Sequence, residues 1–264
     1  MITIAGCVRL GAEYGVAPEV IENDYVVELF LKAIADSPEV KRKIIFRGGT
    51  CLHKIYFKDY RFSEDLDFVM NGGYGADSAL SGIIGLIENM KSSVPVRLIS
   101  VNKDKGRIQV FVGYNIVPEI SGTEKKLKLD VCETDEIPAF QERNIMFMHK
   151  EFRNENSVIN GCTPEAIAAD KISRTIGLNK EARDIYDLKH LFEAGLDIKL
   201  LKSEFRKVNA YDINAGNLIS NIRGRDMKKM WENRLKHQIK DLPDFDGFTA
   251  ELETTIRDFF GRGA

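Results

Sequence analysis

Two hydrophobic periods succeed each other along the chain. In APEVIENDYVVELFLKAIA (17–35), Val20, Tyr25, Val27, Leu31 and Ile34 recur at helical spacing behind Pro18, so the pattern predicts an amphipathic helix. KIIF (43–46) and DLDFVM (65–70) are short apolar strands. GGTCLHKIYF (48–57) lies between them as a turn entering a helix, with Leu52, Ile55 and Tyr56 on one face. NGGYG closes the second strand, and SALSGIIGLIENM (78–90) is a further helix. VPVRLISV, GRIQVFVGYNI and KKLKLDVCE are β-rich runs separated by turn residues. Beyond about residue 140 the period becomes helical throughout: TPEAIAADKISRTIG, EARDIYDLKHLFEAG, IKLLKSEFRKV, DMKKMWENRLKHQI and FTAELETTIRDFF. The pattern predicts an α+β part at 1–145 and a helical part at 146–264.

The chemistry concentrates in FRGGTCLHKIYFKDYRFSEDLDF (46–68). Residues i and i+2 of a strand share a face, so Asp65 and Asp67 project together while Leu66 and Phe68 turn to the core. Two neighbouring carboxylates repel unless protonated or bridged by a cation, and a divalent metal is the common solution. Gly48 and Gly49 open a turn into a helix, whose first N–H groups favour anions such as phosphate. In KKLKLDVCE, Leu127, Leu129 and Val131 form the apolar face, and Asp130 sits opposite, beside Lys128. If this strand pairs next to the first, three carboxylates converge, as in a two-metal phosphoryl-transfer centre. Blander alternatives stand beside each piece: a plain tight turn, a solvated strand end, and an Asp130–Lys128 salt bridge on an edge strand.

In the helical part, Lys171 and Arg174 share a face, as do Asp184 and Asp187, and the link through Gly177 predicts antiparallel neighbours. Either they form a structural ion pair, or Lys171 and Arg174 supply charge to a triphosphate. In the second case Lys171→Ala should lower the rate on the order of 10²–10³-fold and leave the melting temperature nearly unchanged.

Composition narrows this only slightly. The 264 residues are 44% hydrophobic and 30% charged, with a formal net charge of −2, so any nucleic-acid binding needs a local basic patch. RGRDMKKMWENRLKHQIK (223–240) is the densest basic stretch, either a phosphate-binding face or a solvated one. Trp231 within it either stacks on a base or anchors the core. Four scattered cysteines, no leader pattern and no apolar window near ~18 residues predict a soluble, cytoplasmic protein without a membrane partner. His53, His149, His190 and His237 show no metal-ligand spacing.

Together, FRGGTCLHKIY, RFSEDLDF, KLKLDV and ADKISR…ARDIYDL resemble the AbiEii-type nucleotidyltransferase toxins, including the MenT group, over roughly residues 18 to 195. The resemblance implies a polymerase-β-like nucleotidyltransferase domain with a mixed β-sheet, followed by a helical C-terminal domain. It implies a toxin of a toxin–antitoxin or abortive-infection system that transfers a nucleotide from an NTP, with Mg²⁺ or Mn²⁺, to the 3′ end of tRNA. Translation would stop, and a cognate antitoxin would restrain the toxin. Carried onto this chain, Asp65, Asp67 and Asp130 are the metal-binding acids, Lys171 contacts the triphosphate, and Asp184 is the acid of the later motif. Asp187 either assists or holds the helix; Gly48, Gly49, Thr50 and Ser63 line the phosphate pocket, and Arg61, Arg174 and Arg183 either position phosphates or pair with nearby acids. Arg47 and Asn23 stand where such proteins often carry lysine. Two rivals use the same residues differently: a metal-dependent nuclease or phosphohydrolase, and a catalytically silent binding module.

Overall fold

Local sequence signals set many element ends in the computed structural model, which describes residues 1–153 and 156–261. Helix α1 (Ile4–Tyr14) starts at Thr3, whose hydroxyl accepts from the Gly6 amide, and stops at Gly15 in the left-handed region (φ 65°). Helix α2 (Pro18–Ala35) begins on its proline, and the short α3 (Pro38–Lys41) is capped by Ser37. Strand β1 (Ile44–Arg47) runs into α4 (Gly48–Cys51), which widens at once into a π-helical stretch, Leu52–Tyr56. There follow β2 (Asp65–Met70), α5 (Ala76–Met90), β3 (Val96–Asp104), β4 (Arg107–Tyr114), the single turn α6 (Pro118–Ser121), β5 (Lys125–Cys132), β6 (Phe140–Asn144) and β7 (Val158–Cys162). The remainder is helical: α7 (Pro164–Ile176), α8 (Ala182–Glu193), α9 (Ile198–Val208), α10 (Ala215–Ile222), α11 (Arg225–Leu235) and α12 (Phe245–Gly261).

The seven strands form one mixed sheet in the order β3-β4-β5-β2-β1-β7-β6. Strands β2 and β5 are parallel, as are β1 and β7; the other neighbours are antiparallel. Register sorts the faces. Phe46, Phe68, Val131 and Ile108 lie side by side across four strands, and Leu66, Leu129 and Val110 form the next row; all are buried. Each such apolar side chain contributes about 1.5–3 kcal/mol on leaving water. The opposite face carries Arg47, Asp67, Asp130 and Gln109 in a row. Alternation within each strand therefore separates core from chemistry.

Helix α2 is buried nearly all round, acids included. Glu22 accepts from the Ile116 and Val117 amides (2.8 and 3.0 Å) and pairs with Lys125. Asn23 donates its side-chain amide to the Tyr114 hydroxyl at 3.0 Å.

The chain divides into two compact units, one of residues Met1–Cys162 and one from Thr163 onward. The sequence places the division at 145 instead. Strand β7 pairs with β1, and β6 pairs with β7, so the sheet carries the first unit to Cys162. Every residue of β6 is exposed and the strand shows no apolar alternation, so the sequence pattern does not predict this hairpin. Helix α1, with two glycines and an exposed Val8, is likewise not among the elements the sequence pattern predicts. The second unit is all helix among its described residues. Thr163 caps α7 and Asp197 caps α9, and Trp231 is buried, donating its ring N–H to the Pro243 carbonyl at 2.9 Å.

Candidate functional site: a row of acids on the central strands

Parallel pairing of β2 with β5 sets Asp67 directly beside Asp130 and Asp65 beside Lys128. The three carboxylates predicted to converge are thus on adjacent strands and one face. They differ in environment. Asp65 is about one-third exposed, with the Lys128 ammonium 2.8 Å from Oδ2. Asp67 is half-buried, opposite Arg47 on β1. Burial and then the Asp65 charge push its carboxyl above the ordinary value, against the opposing pull of Arg47 and Lys128. Asp130 is buried. Burial would raise its carboxyl too, but hydrogen bonds from Arg107 and Gln109 outweigh it and hold the acid below the usual range.

Arg107 grips Asp130 with both arms of its guanidinium: Nε donates to Oδ1 at 2.7 Å and Nη2 donates to Oδ2. Gln109 adds a bond to Oδ2 at 3.1 Å, and the Cys132 thiol approaches Oδ1 at 3.6 Å. Lys128 stands 3.9 Å from Oδ2, so the predicted Asp130–Lys128 bridge is the weaker contact. Neither Arg107 nor Gln109 drew attention in the sequence. The signal was present in the alternation of GRIQVF, which puts both on the polar face, but only the β4–β5 register aims them at Asp130.

The glycine turn is tight for a reason that differs from the expected one. Gly48 has φ 79°, and a Cβ there would lie 2.8 Å from Asp67 Oδ2. A Cβ at Gly49 would collide with the guanidinium of the buried Arg61. The space is filled by the protein's own side chains, so the glycines let the turn close over Asp67 and Arg61. Thr50 donates its hydroxyl to the Asp65 carbonyl at 2.5 Å and ties the turn to β2. Ser63 is half-buried just ahead of that strand.

The π-helical stretch after the turn does not keep the predicted amphipathic face: His53 and Lys54 are buried with Leu52. Lys54 Nζ is drawn to Asp24 and Glu28 on α2, at 2.7 Å from each. Glu28 also accepts from the Met148 and His149 amides (2.6 and 3.0 Å). Ligand atoms of Asp24, Glu28 and His149 lie within 4.8 Å of one another, a grouping able to hold a cation. The cation in contact with both carboxylates is the Lys54 ammonium, which gives this cluster a structural role. His53 at its edge is pushed down to about 3, first by burial and then by Lys54, and is neutral.

The second unit assembles the later residues. Lys171, on α7, is buried with Nζ 2.9 Å from Asp184 and 2.5 Å from Asp187, both on α8; Arg174 reaches Asp184 at 2.6 Å. Asp184 Oδ2 has no hydrogen-bond partner among the described residues. The structure therefore brings Lys171, Arg174, Asp184 and Asp187 together as an interhelical network. Arg183 lies 3.9 Å from Glu181. In the basic stretch, Arg223, Lys228 and Arg234 pair with Glu253, Asp246 and Glu181, so part of its charge is compensated.

Carboxylates such as Asp65 and Asp67 suit Mg²⁺, which takes one or two acids and completes its shell with water and phosphate oxygens. Asp65 and Asp67 share one strand face, and the Asp67 carboxyl is raised first by burial and then by the Asp65 charge, the part an added cation would offset. A site of this type serves phosphoryl or nucleotidyl transfer, and equally phosphodiester cleavage.

Comparison with known proteins separates these. The nucleotidyl transferase AbiEii toxin family, of a type IV toxin–antitoxin system, matches residues 29–255. Among solved structures, MenT4, a nucleotidyltransferase toxin from Mycobacterium tuberculosis H37Rv, superposes with a TM-score of 0.74 at 16% identity, covering 97% of this chain and 89% of its own. JHP933 from Helicobacter pylori gives 0.61 at 17% identity, covering 94% of each. At these identities the two structures speak for the fold. No curated protein matches the sequence significantly.

Proposed function

The chain belongs to the AbiEii nucleotidyltransferase toxin family of type IV toxin–antitoxin systems, and on that premise we propose that it moves a nucleotide from an NTP to the 3′ end of a tRNA in the cytoplasm and so blocks translation. Membership in the family brings the transferase activity, an NTP substrate and an antitoxin partner. The RNA acceptor, the ion and the residue roles are our own reading.

In this reading Asp65, Asp67 and Asp130 hold Mg²⁺ or Mn²⁺. When bound, the ions neutralise charge on the reacting phosphate and on the attacking and leaving oxygens. The chain's own groups do the rest. Backbone amides at Gly48 and Gly49, with the Ser63 hydroxyl, line the phosphates, and Thr50 acts through its hold on the Asp65 carbonyl. Lys128 and Arg47 offset part of the acids' negative charge before the ligand arrives. For the second unit, Lys171 and Arg174 are assigned to triphosphate charge, with Asp184 and Asp187 orienting the lysine.

The observation that supports this most is the lateral pairing of Asp67 with Asp130 on the face shared with Asp65. The test is incubation with each labelled NTP, Mg²⁺ and total tRNA. A lengthened, labelled tRNA is expected. A shortened RNA without NTP would make the protein a nuclease, and unchanged RNA with all four NTPs would make it a silent module.

A further inference from the structure

Of the three acids, Asp130 is the one whose lone pairs are all taken. A carboxylate offers about four acceptor sites. Arg107 takes two of them, Gln109 a third and the Cys132 thiol the fourth. An oxygen so engaged has nothing left for a metal ion, and a guanidinium in that place repels one. Asp130 is therefore present at the site but closed.

The group that closes it is well placed to leave. Arg107 is the first residue of β4, directly after the Lys105–Gly106 turn, whose φ angles are 27° and 75°. Its side chain is 53% exposed, against 3% for Asp130, so one partner is fixed in the sheet and the other stands at its rim. The same turn borders an open cavity of about 490 Å³, lined also by Tyr74, Glu133 and Thr134. A guanidinium fork fits a phosphate as well as a carboxylate, so a phosphorylated ligand offers Arg107 an equivalent partner.

We propose that Arg107 is a positioning residue that holds Asp130 out of the metal centre in the nucleotide-free protein and passes its guanidinium to a phosphate of the incoming nucleotide, opening Asp130 as the third ligand. The inference rests on the reading of Asp65 and Asp67 as metal ligands. One consequence is coupling: metal and phosphate each bind better when the other is present, and by linkage the two effects are equal.

The experiment measures Mn²⁺ binding to the full chain, without nucleotide, by electron paramagnetic resonance. Arg107→Gln is expected to bind Mn²⁺ about tenfold more tightly than wild type, the effect of removing a coupling near the lower end of the usual range. Arg107→Lys, which keeps the charge without the fork and is the milder change should the first variant fold poorly, is expected to gain severalfold. Inorganic triphosphate without metal should bind Arg107→Gln more weakly than wild type. A merely structural Arg107 would lower the melting temperature and leave Mn²⁺ affinity alone, and unchanged or weaker Mn²⁺ binding overturns the inference. Unchanged triphosphate binding removes the phosphate half of it. Asp65→Asn separates the two levels: if it leaves Mn²⁺ binding intact, the metal reading itself has failed.

Discussion

Asp67 shows how one side chain carries the tension of a site. Its carboxyl is raised in the folded chain by burial and by Asp65. The folded protein then holds a proton that the unfolded one has released, so metal-free stability falls as pH rises from about the ordinary 3.8 through the folded value. Asp67→Asn removes that loss. We expect it to abolish transfer while raising the melting temperature in EDTA at pH 7, with the gain vanishing toward pH 4. A lower melting temperature at pH 7 would contradict this account. Gly48→Ala tests the neighbouring constraint. It combines φ 79° with a Cβ 2.8 Å from Asp67 Oδ2, and should cost about 1–3 kcal/mol in denaturant unfolding. A neutral Gly48→Ala would mean the turn relaxes without moving Asp67.

Among the elements, the α7–α8 pair was the most readable and its consequence the least. Spacing in ADKISR and ARDIYDL correctly predicts that Lys171 meets Asp184 and Asp187. The expectation of an unchanged melting temperature for Lys171→Ala presumed an exposed lysine, and burial revises it. Removing the lysine takes its ammonium from two buried carboxylates, of which Asp184 keeps Arg174, a change that costs about 3–5 kcal/mol. Denaturant unfolding of Lys171→Ala should show that loss, and adding Asp187→Asn should recover part of it. Full stability of the single variant would mean the acids find another cation. Because stability and catalysis change together here, transfer by Lys171→Ala is informative only after correction for the folded fraction.

At the scale of the whole molecule, the family predicts a toxin, and on the proposed metal reading its action needs Asp67. Induced expression in a bacterium should arrest growth, and expression of Asp67→Asn to the same level should not. Equal growth of the two strains would favour a binding module. Net charge contributes little, since the chain is near neutral and three cations of its basic stretch are paired with acids. Among the described residues no helix is long and apolar enough to cross a membrane.

What the sequence by itself determined is whatever depends on neighbours in the chain. Alternation in DLDFVM and KLKLDV sorts acids from core residues, because strand geometry has a period of two whatever surrounds it. Pro18 and the i, i+3 acids and bases work in the same local way. Tertiary structure decided which strands lie together, and with that the partners of every charge. Parallel β2–β5 pairing joins Asp67 to Asp130 across sixty-odd residues, and the β4 register delivers Arg107 to the third acid. Lys54 is not on the predicted face of Leu52, Ile55 and Tyr56, yet Asp24 and Glu28, on another helix, draw it inside. Buried ion pairs of this kind leave no periodic trace, because the free energy that holds them comes from a partner distant in sequence, and only the fold sets that distance.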